Sequence, residues 1–417
     1  MALPGLSHQV ALFLLYNALL HIGLIGISDA LLNFYFVSLG YSAETIGLLQ
    51  SLPRVSGFLS SVPIGLLANR LGVRRVTLWA TVGLAVSYAL LIVWPTLAML
   101  GFSRFLVGLF YGAVQIGMAP LMMTLVKAEH HTHLFAYHNL VSMGATAIGS
   151  VAGGFLPLLG VALFPQATRV AGVAAEQTPF AYRVALSVAM GLILLSTWPL
   201  ARLAETHRPP AVRGLFATAS GCIPWRWLTK LSLPLLLFGF TGGLTFPFYN
   251  LFFRTTFDLA DKTVGTVLSL GWLGMAVLPL ANPWWDRHWG RVRTLGITMS
   301  VAGLAFAGLS VAPTLAVGVL CYVVAISFRN VMQPVFQPLL MDSLPPDLHN
   351  IASSMGMVMW NVGWFAATAV SGFWQTAYGF GMIMRVVAVG AFLTGASVVW
   401  LFRNQRPYRS TVPETCA

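Results

Sequence analysis

Apolar residues run through the chain in stretches of about 20, separated by short polar gaps. That length is what a helix needs to cross a bilayer core. On this ruler the pattern predicts twelve helical spans. Six fall in the first half, roughly at 9–38, 44–68, 76–95, 97–125, 136–163 and 183–203. Six fall in the second, roughly at 231–253, 263–285, 294–313, 315–341, 351–377 and 381–402. Nothing reads as the short alternating strands of a membrane barrel. The first stretch lacks a basic leader and is too long for a signal peptide, so it reads as a retained helix.

Basic residues set an orientation. With both ends of the chain on the cytoplasmic side, fifteen Lys and Arg residues lie in inner segments and five in outer ones. Inner enrichment of this kind orients multi-pass proteins.

The two halves repeat at a fixed offset of 218 residues. Thr45, Gly47, Ser51 and Leu52 match Thr263, Gly265, Ser269 and Leu270. Gly72 and Arg75 match Gly290 and Arg293; Pro120, Leu121 and Met123 match Pro338, Leu339 and Met341; Gly154 and Phe155 match Gly372 and Phe373. The pattern predicts an all-α membrane protein of two pseudo-symmetric six-helix bundles. Their expected extents are 1–203 and 231–417 with its tail, joined by a cytoplasmic connector at 204–230. The piece around Trp225, Arg226 and Trp227 reads either as an amphipathic segment on the headgroups or as a solvated connector.

Composition agrees with lipid as the solvent. Of 417 residues, 57% are hydrophobic and 8% charged, against about 25% charged in soluble domains. The 23 Lys and Arg against 11 Asp and Glu give +12, but their place between apolar runs argues against a nucleic-acid partner. Cys222, Cys321 and Cys416 show neither a disulfide framework nor a metal spacing. Glu129, His130, His131 and His133 sit in one short loop without a third ligand partner, so no metal is expected there.

After the second span come Gly65, Asn69, Arg70, Gly72, Arg74 and Arg75. This stretch resembles the loop motif of the major facilitator superfamily, with Asn69 where that family has Asp. A looser copy, Asp286, Arg287, Gly290, Arg291 and Arg293, follows the eighth span. Arg104 and Gly108 resemble the family's fourth-helix motif. Gly149, Ser150, Gly153 and Gly154 resemble its fifth-helix exporter motif, with Ser150 in place of Pro. The resemblance covers essentially the whole chain. It implies alternating access without a cofactor, a working monomer in the cell inner or plasma membrane, an ion gradient (most simply protons) as the driving force, and gating roles for the loop residues named here.

Polar residues inside spans are site candidates, since burying a charge in hydrocarbon is costly. Asp29 is the one acidic residue deep in a span, at about the depth of Arg54, with Arg104 somewhat shallower. A charge cluster is expected there, either a static bridge or the proton-coupling group. His21, which titrates near physiological pH, is a candidate shuttle or a structural group. Asn17, His21, Ser28 and Asn33 share one stripe of the first span, which should face a cavity. In the tenth span Arg329, Gln333 and Gln337 recur every four residues, beside Asn330 and two prolines. This face is expected to line the substrate cavity or to form an inter-helix network. Gln50, Gln115, Asn139, Asn250, Trp360, Asn361 and Trp364 are further cavity candidates.

No nucleotide-binding loop is present, and no nucleophile–base pair shares one depth, so an enzyme is not expected. Three intramembrane arginines against one aspartate leave about +2 in the spans. That balance favours an anionic or zwitterionic organic solute. The alternative is a proton-driven multidrug efflux antiporter, supported by Arg104 and the Gly149 region; a membrane enzyme or a non-transporting receptor stands behind both.

Overall fold

The computed structural model describes residues 7–127, 130–204, 225–344 and 349–403. Among these residues the regular structure is helical throughout. The first predicted span is α1 (His8–His21), a π-helical stretch (Ile22–Ile27) and α2 (Ser28–Ser38). Ser7 starts it, its hydroxyl accepting from the Val10 N–H at 3.3 Å, which satisfies one orphan donor of the first turn. α3 (Ala43–Leu71), α4 (Val73–Val93), α5 (Leu97–Leu125), α6 (His131–Leu163) and α7 (Pro179–Ala201) follow. The second half holds α8 (Trp225–Thr245), α9 (Tyr249–Phe257), α10 (Asp261–Val277) and α11 (Asn282–Trp289). It ends with α12 (Arg291–Leu309), α13 (Leu315–Asn330), α14 (Met332–Asp342) and α15 (His349–Phe402).

Several predicted spans are not single rods. The seventh breaks at a 3₁₀ turn, Phe246–Phe248, and the eighth at Leu278–Ala281. The tenth breaks at Val331, between α13 and α14. Proline accounts for each break: Pro247, Pro279 and Pro334 have no N–H to return to the carbonyl four residues back. The Gly243 carbonyl, which Pro247 cannot serve, instead accepts from Thr368 Oγ1 at 3.0 Å. The last two expected spans are two helices within α15, and they meet at Gly379, whose φ of 71° and ψ of 171° are not helical. Gly72 and Gly290, matched in the repeat, both take positive φ (92° and 73°) and turn the chain between helices.

Ten helical segments among the described residues are long and apolar enough to cross a membrane, one of them the long α15. The chain is a multi-pass membrane protein. The connector 205–224, Glu129, and the tail 404–417 lie outside the described residues, as do the side chains of Asn69, Trp225, Arg226 and Trp227.

By contacts the chain forms two compact units. One comprises 1–210 with 247–276, and the other 211–246 with 277–417. This grouping differs from the sequence boundaries in where 247–276 falls. Close backbone contact explains it: a Cβ on Gly265 of α10 would stand 2.3 Å from the Ser150 carbonyl of α6, and one on Gly154 would stand 2.7 Å from the Asp261 carbonyl. Small residues let membrane helices approach in this way. In the second unit α8 lies along α15 on the same principle, Gly239 against Trp360 and Gly243 against Trp364. Its core gathers Leu295, Met299, Val335, Phe336 and Val398.

Candidate functional site

In the first unit a chain of hydrogen bonds crosses four helices. Arg104 of α5 donates through Nη2 to Gln50 Oε1 of α3 at 2.6 Å. Gln50 Nε2 donates to Asn33 Oδ1 of α2 at 2.6 Å. Asn33 Nδ2 donates to Asn250 Oδ1 of α9 at 2.9 Å and to the Pro247 carbonyl at 2.6 Å. Asn250 Nδ2 returns to the carbonyls of Asp29 and Ala30 at 3.1 and 3.0 Å. Arg104, Asn33 and Asn250 are buried. Such a chain survives in a low-dielectric interior because its members satisfy one another.

Asp29 stands beside this chain. Arg104 and then Arg54 exert the largest electrostatic pulls on it, so the three expected charges do share one neighbourhood. Asp29 itself is exposed, whereas Asn33, one turn on, is fully buried. The charge-bearing side chain therefore reaches accessible space while its neighbours fix the backbone that carries it.

Nearer the other end of the first span, Asn17 donates to Ser142 Oγ at 2.7 Å and to the His138 carbonyl at 3.2 Å. His21 Nδ1 lies 3.3 Å from Thr146 Oγ1. The π-helical stretch Ile22–Ile27 separates His21 from Asp29; such irregular turns recur at functional sites. Gln115 donates to the Tyr111 hydroxyl at 3.1 Å. Asn139 is exposed on α6, apart from the Arg104 chain.

The second unit organises its arginine differently. The Arg329 guanidinium stacks 3.9 Å over the Phe238 ring and donates to the Phe238 carbonyl. Gly242 makes room, since a Cβ there would stand 2.5 Å from Arg329 Nη2. Trp360 and Trp364 pack edge to face at 5.4 Å, with Phe246 5.7 Å from Trp364. Asn361 donates to the Met357 carbonyl at 2.9 Å. The break at Val331 splits the expected stripe. Arg329 is buried at the end of α13, Asn330 is half-buried, and Gln333 and Gln337 are exposed on α14.

The loop motif residues divide into held and unheld. Arg74 reaches the last turn of α7, donating to the Leu200 carbonyl at 3.4 Å and to the Ala201 carbonyl. Arg70 and Arg287 are exposed, and nothing packs within 4 Å of where a Cβ would sit on Gly65. In the second copy Arg291 pairs with Asp286 at 3.6 Å and with Asp342 of α14.

Sequence reasoning missed Asp342, Phe238, Tyr182 and Asp261. Asp261 is only 4% exposed, more deeply buried than Asp29. An acid in the first turn of a helix reads as ordinary dipole compensation, which hid it.

The sequence matches the Major Facilitator Superfamily profile over residues 14–368, with a second match over 231–417. The chain belongs to the major facilitator superfamily. It is a secondary transporter of small solutes. No curated protein sequence matches it. Among solved structures it resembles a bacterial homologue of the human lysosomal transporter Spinster, at TM-score 0.79 and 12% identity over 99% of this chain and 100% of that one. It also resembles the nucleoside transporter NupG, at TM-score 0.77 and 14% identity over 94% and 100% of the two chains. The human organic anion transporter MFSD10 follows at TM-score 0.62 and 16% identity over 95% and 100%. At these identities the likeness is one of fold.

Proposed function

We propose that this transporter couples proton movement to the passage of a small anionic or zwitterionic organic solute. We further propose that it works as a monomer in the cell inner or plasma membrane, with twelve spans in two six-helix bundles and both ends cytoplasmic. The observation that carries the reading is Asp29: an exposed carboxylate in the first span, on which Arg104 and Arg54 act electrostatically. A carboxylate there can take or lose a proton while the arginines keep their charge. A solute nucleoside in one fold relative and organic anions in another leave the choice of charge to this chain's own side chains. Arg254 and Asp261 neutralise each other. Arg54, Arg104 and Arg329 against Asp29 then leave a positive balance that attracts anions and repels cations. Rocking of the two repeats about a midplane site supplies the alternating access.

The rival reading, a proton-driven exporter of amphipathic drugs, draws on the Gly149–Gly154 face of α6. That face serves as a seam: Gly149 meets Gly26, and Gly154 meets the start of α10. A thermal-shift screen of purified protein decides between the two. Stabilisation by anionic metabolites and none by cationic dyes supports the proposal; the reverse favours the exporter. Proteoliposome flux of the stabilising solute then tests coupling. A pH gradient should drive accumulation by the wild type, and Asp29→Asn should abolish it while leaving solute exchange intact. Accumulation by that variant at the wild-type rate would remove Asp29 from coupling.

A further inference from the structure

Tyr182, Arg254 and Asp261 form a closed triangle where α7, α9 and α10 meet. Tyr182 Oη donates to Asp261 Oδ2 at 2.7 Å. Arg254 Nη1 donates to Tyr182 Oη at 3.1 Å and lies 3.4 Å from Asp261 Oδ1. The guanidinium also stands 4.5 Å over the Phe34 ring of α2. The Asp261 side chain is 3% exposed and that of Arg254 18%.

The triangle suits an ionised Asp261. The tyrosine has one proton, given to Oδ2, and its oxygen accepts from Arg254. Oδ1 accepts no hydrogen bond and stands against Arg254, so a proton taken up there leaves the Tyr182 bond possible but Arg254 charged without its counter-ion. Stranding one charge of a buried pair is strongly unfavourable. Arg254, the more exposed partner, has the route to water.

Other charges near Asp261 are few. Glu176, in the 3₁₀ turn Ala175–Gln177 before α7, is the second acid acting on it. Lys262 follows it on its own helix, and Asp258 lies in the turn ahead. α6 meets the start of α10 through Gly154 and the Ser150 carbonyl, neither of them ionisable.

Tyr182 belongs to the first repeat of the sequence, and Arg254 and Asp261 to the second. All three lie in the first compact unit, so the triangle ties the start of the second repeat to the first, and a rocking of the repeats, as the transporter reading has it, would part Tyr182 from Asp261. We propose that Asp261 is a second protonation site of the transport cycle, and that proton uptake by its carboxylate opens the triangle and frees α9 and the start of α10 from α7. The proton comes from water along the partly exposed edge of Arg254 and rests on a carboxyl oxygen, leaving a neutral acid. The proposal rests on the transporter reading, but on neither Asp29 nor the identity of the solute.

The test needs no solute. With Cys222, Cys321 and Cys416 replaced by serine, spin labels go on Val173→Cys and Thr256→Cys, both exposed positions flanking the triangle. Label distances are measured in liposomes at pH 7.5 and pH 5. In the wild type a longer-distance population should grow on acidification. Asp261→Asn should show that population already at pH 7.5 and lose the pH response. Asp29→Asn should keep the wild-type response. A pH response in Asp261→Asn equal to the wild type overturns the proposal, as does a response lost in Asp29→Asn alone. Should Asp261→Asn fail to fold, Tyr182→Phe carries the test. It keeps the carboxylate, so the longer population should rise at pH 7.5 with part of the response retained; an unchanged distribution refutes the triangle's role. Solute flux in the same liposomes judges the transporter reading separately.

Discussion

Asn33 and Asn250 are 217 residues apart in the chain and joined by a 2.9 Å hydrogen bond. Asn250 is the more connected of the two. Its amide also donates to the Asp29 and Ala30 carbonyls and its side-chain oxygen accepts from the Leu251 N–H, whereas Asn33 also accepts from Gln50 and donates to the Pro247 carbonyl. Asn250→Ala should therefore cost more stability than Asn33→Ala. Each buried polar group left without a partner costs about 1–3 kcal/mol. Unfolding in detergent measures both, and equal stabilities would show that the chain of bonds is not cooperative.

The seam between α6 and α10 predicts a sharp contrast among glycines. Gly265→Ala places a methyl 2.3 Å from the Ser150 carbonyl, an overpacking that should cost about 1–3 kcal/mol. Nothing stands within 4 Å of a Cβ on Gly144, on the same α6. Gly144→Ala should be neutral, or stabilising by up to about 1 kcal/mol from helix propensity. Thermal melting in detergent separates the two, and similar melts would mean that α10 is not held by this seam.

The contrast marks what was legible in the sequence. Span positions followed from apolar length alone, because lipid leaves a backbone few choices. The positive-φ turns at Gly72 and Gly290 fell at matched places of the repeat. Depth on neighbouring helices suggested grouping Asp29 with Arg54 and the somewhat shallower Arg104. The breaks at Pro247 and Val331 were not legible, since a proline in a span signals a freed carbonyl but not what accepts it. Thr368, which takes up the Gly243 carbonyl, lies 125 residues away. Asp261 was missed because burial at a helix end depends on what packs across it, here Tyr182 from another helix.

Arg74 and Arg70 sit in one motif, yet the structure gives them unlike work. Arg74 reaches the Leu200 and Ala201 carbonyls at the end of α7, of which Leu200 also accepts from the Leu203 N–H. Arg74→Gln should lower stability by about 1 kcal/mol, below the usual range for charged hydrogen bonds because the site is partly open. Arg70, exposed, should be replaceable by Ala without a change in melting. Any effect of Arg70→Ala should then appear in transport rate alone. A drop in stability equal to that of Arg74→Gln would show a partner for Arg70 that the fold does not suggest.

Arg329 tests the solute's charge most directly. Its guanidinium is positioned from three sides: the Phe238 ring at 3.9 Å, the Phe238 carbonyl, and the space left by Gly242. Lysine keeps the charge but loses the flat fork and the stacking, so Arg329→Lys is not conservative here. If the group meets an anionic solute, Arg329→Lys should weaken binding at least tenfold, about 1.4 kcal/mol. Phe238→Leu, which removes a ring interaction of about 0.5–2 kcal/mol, should weaken it less. Gly242→Ala should behave like Arg329→Lys, because the added methyl displaces the guanidinium without touching its charge. Affinity of the stabilising solute, read by titration calorimetry, ranks the three. Unchanged affinity in all of them would leave Arg329 as a strut between α13 and α8 and would move the search for the anion's partner to Arg54 and Arg104.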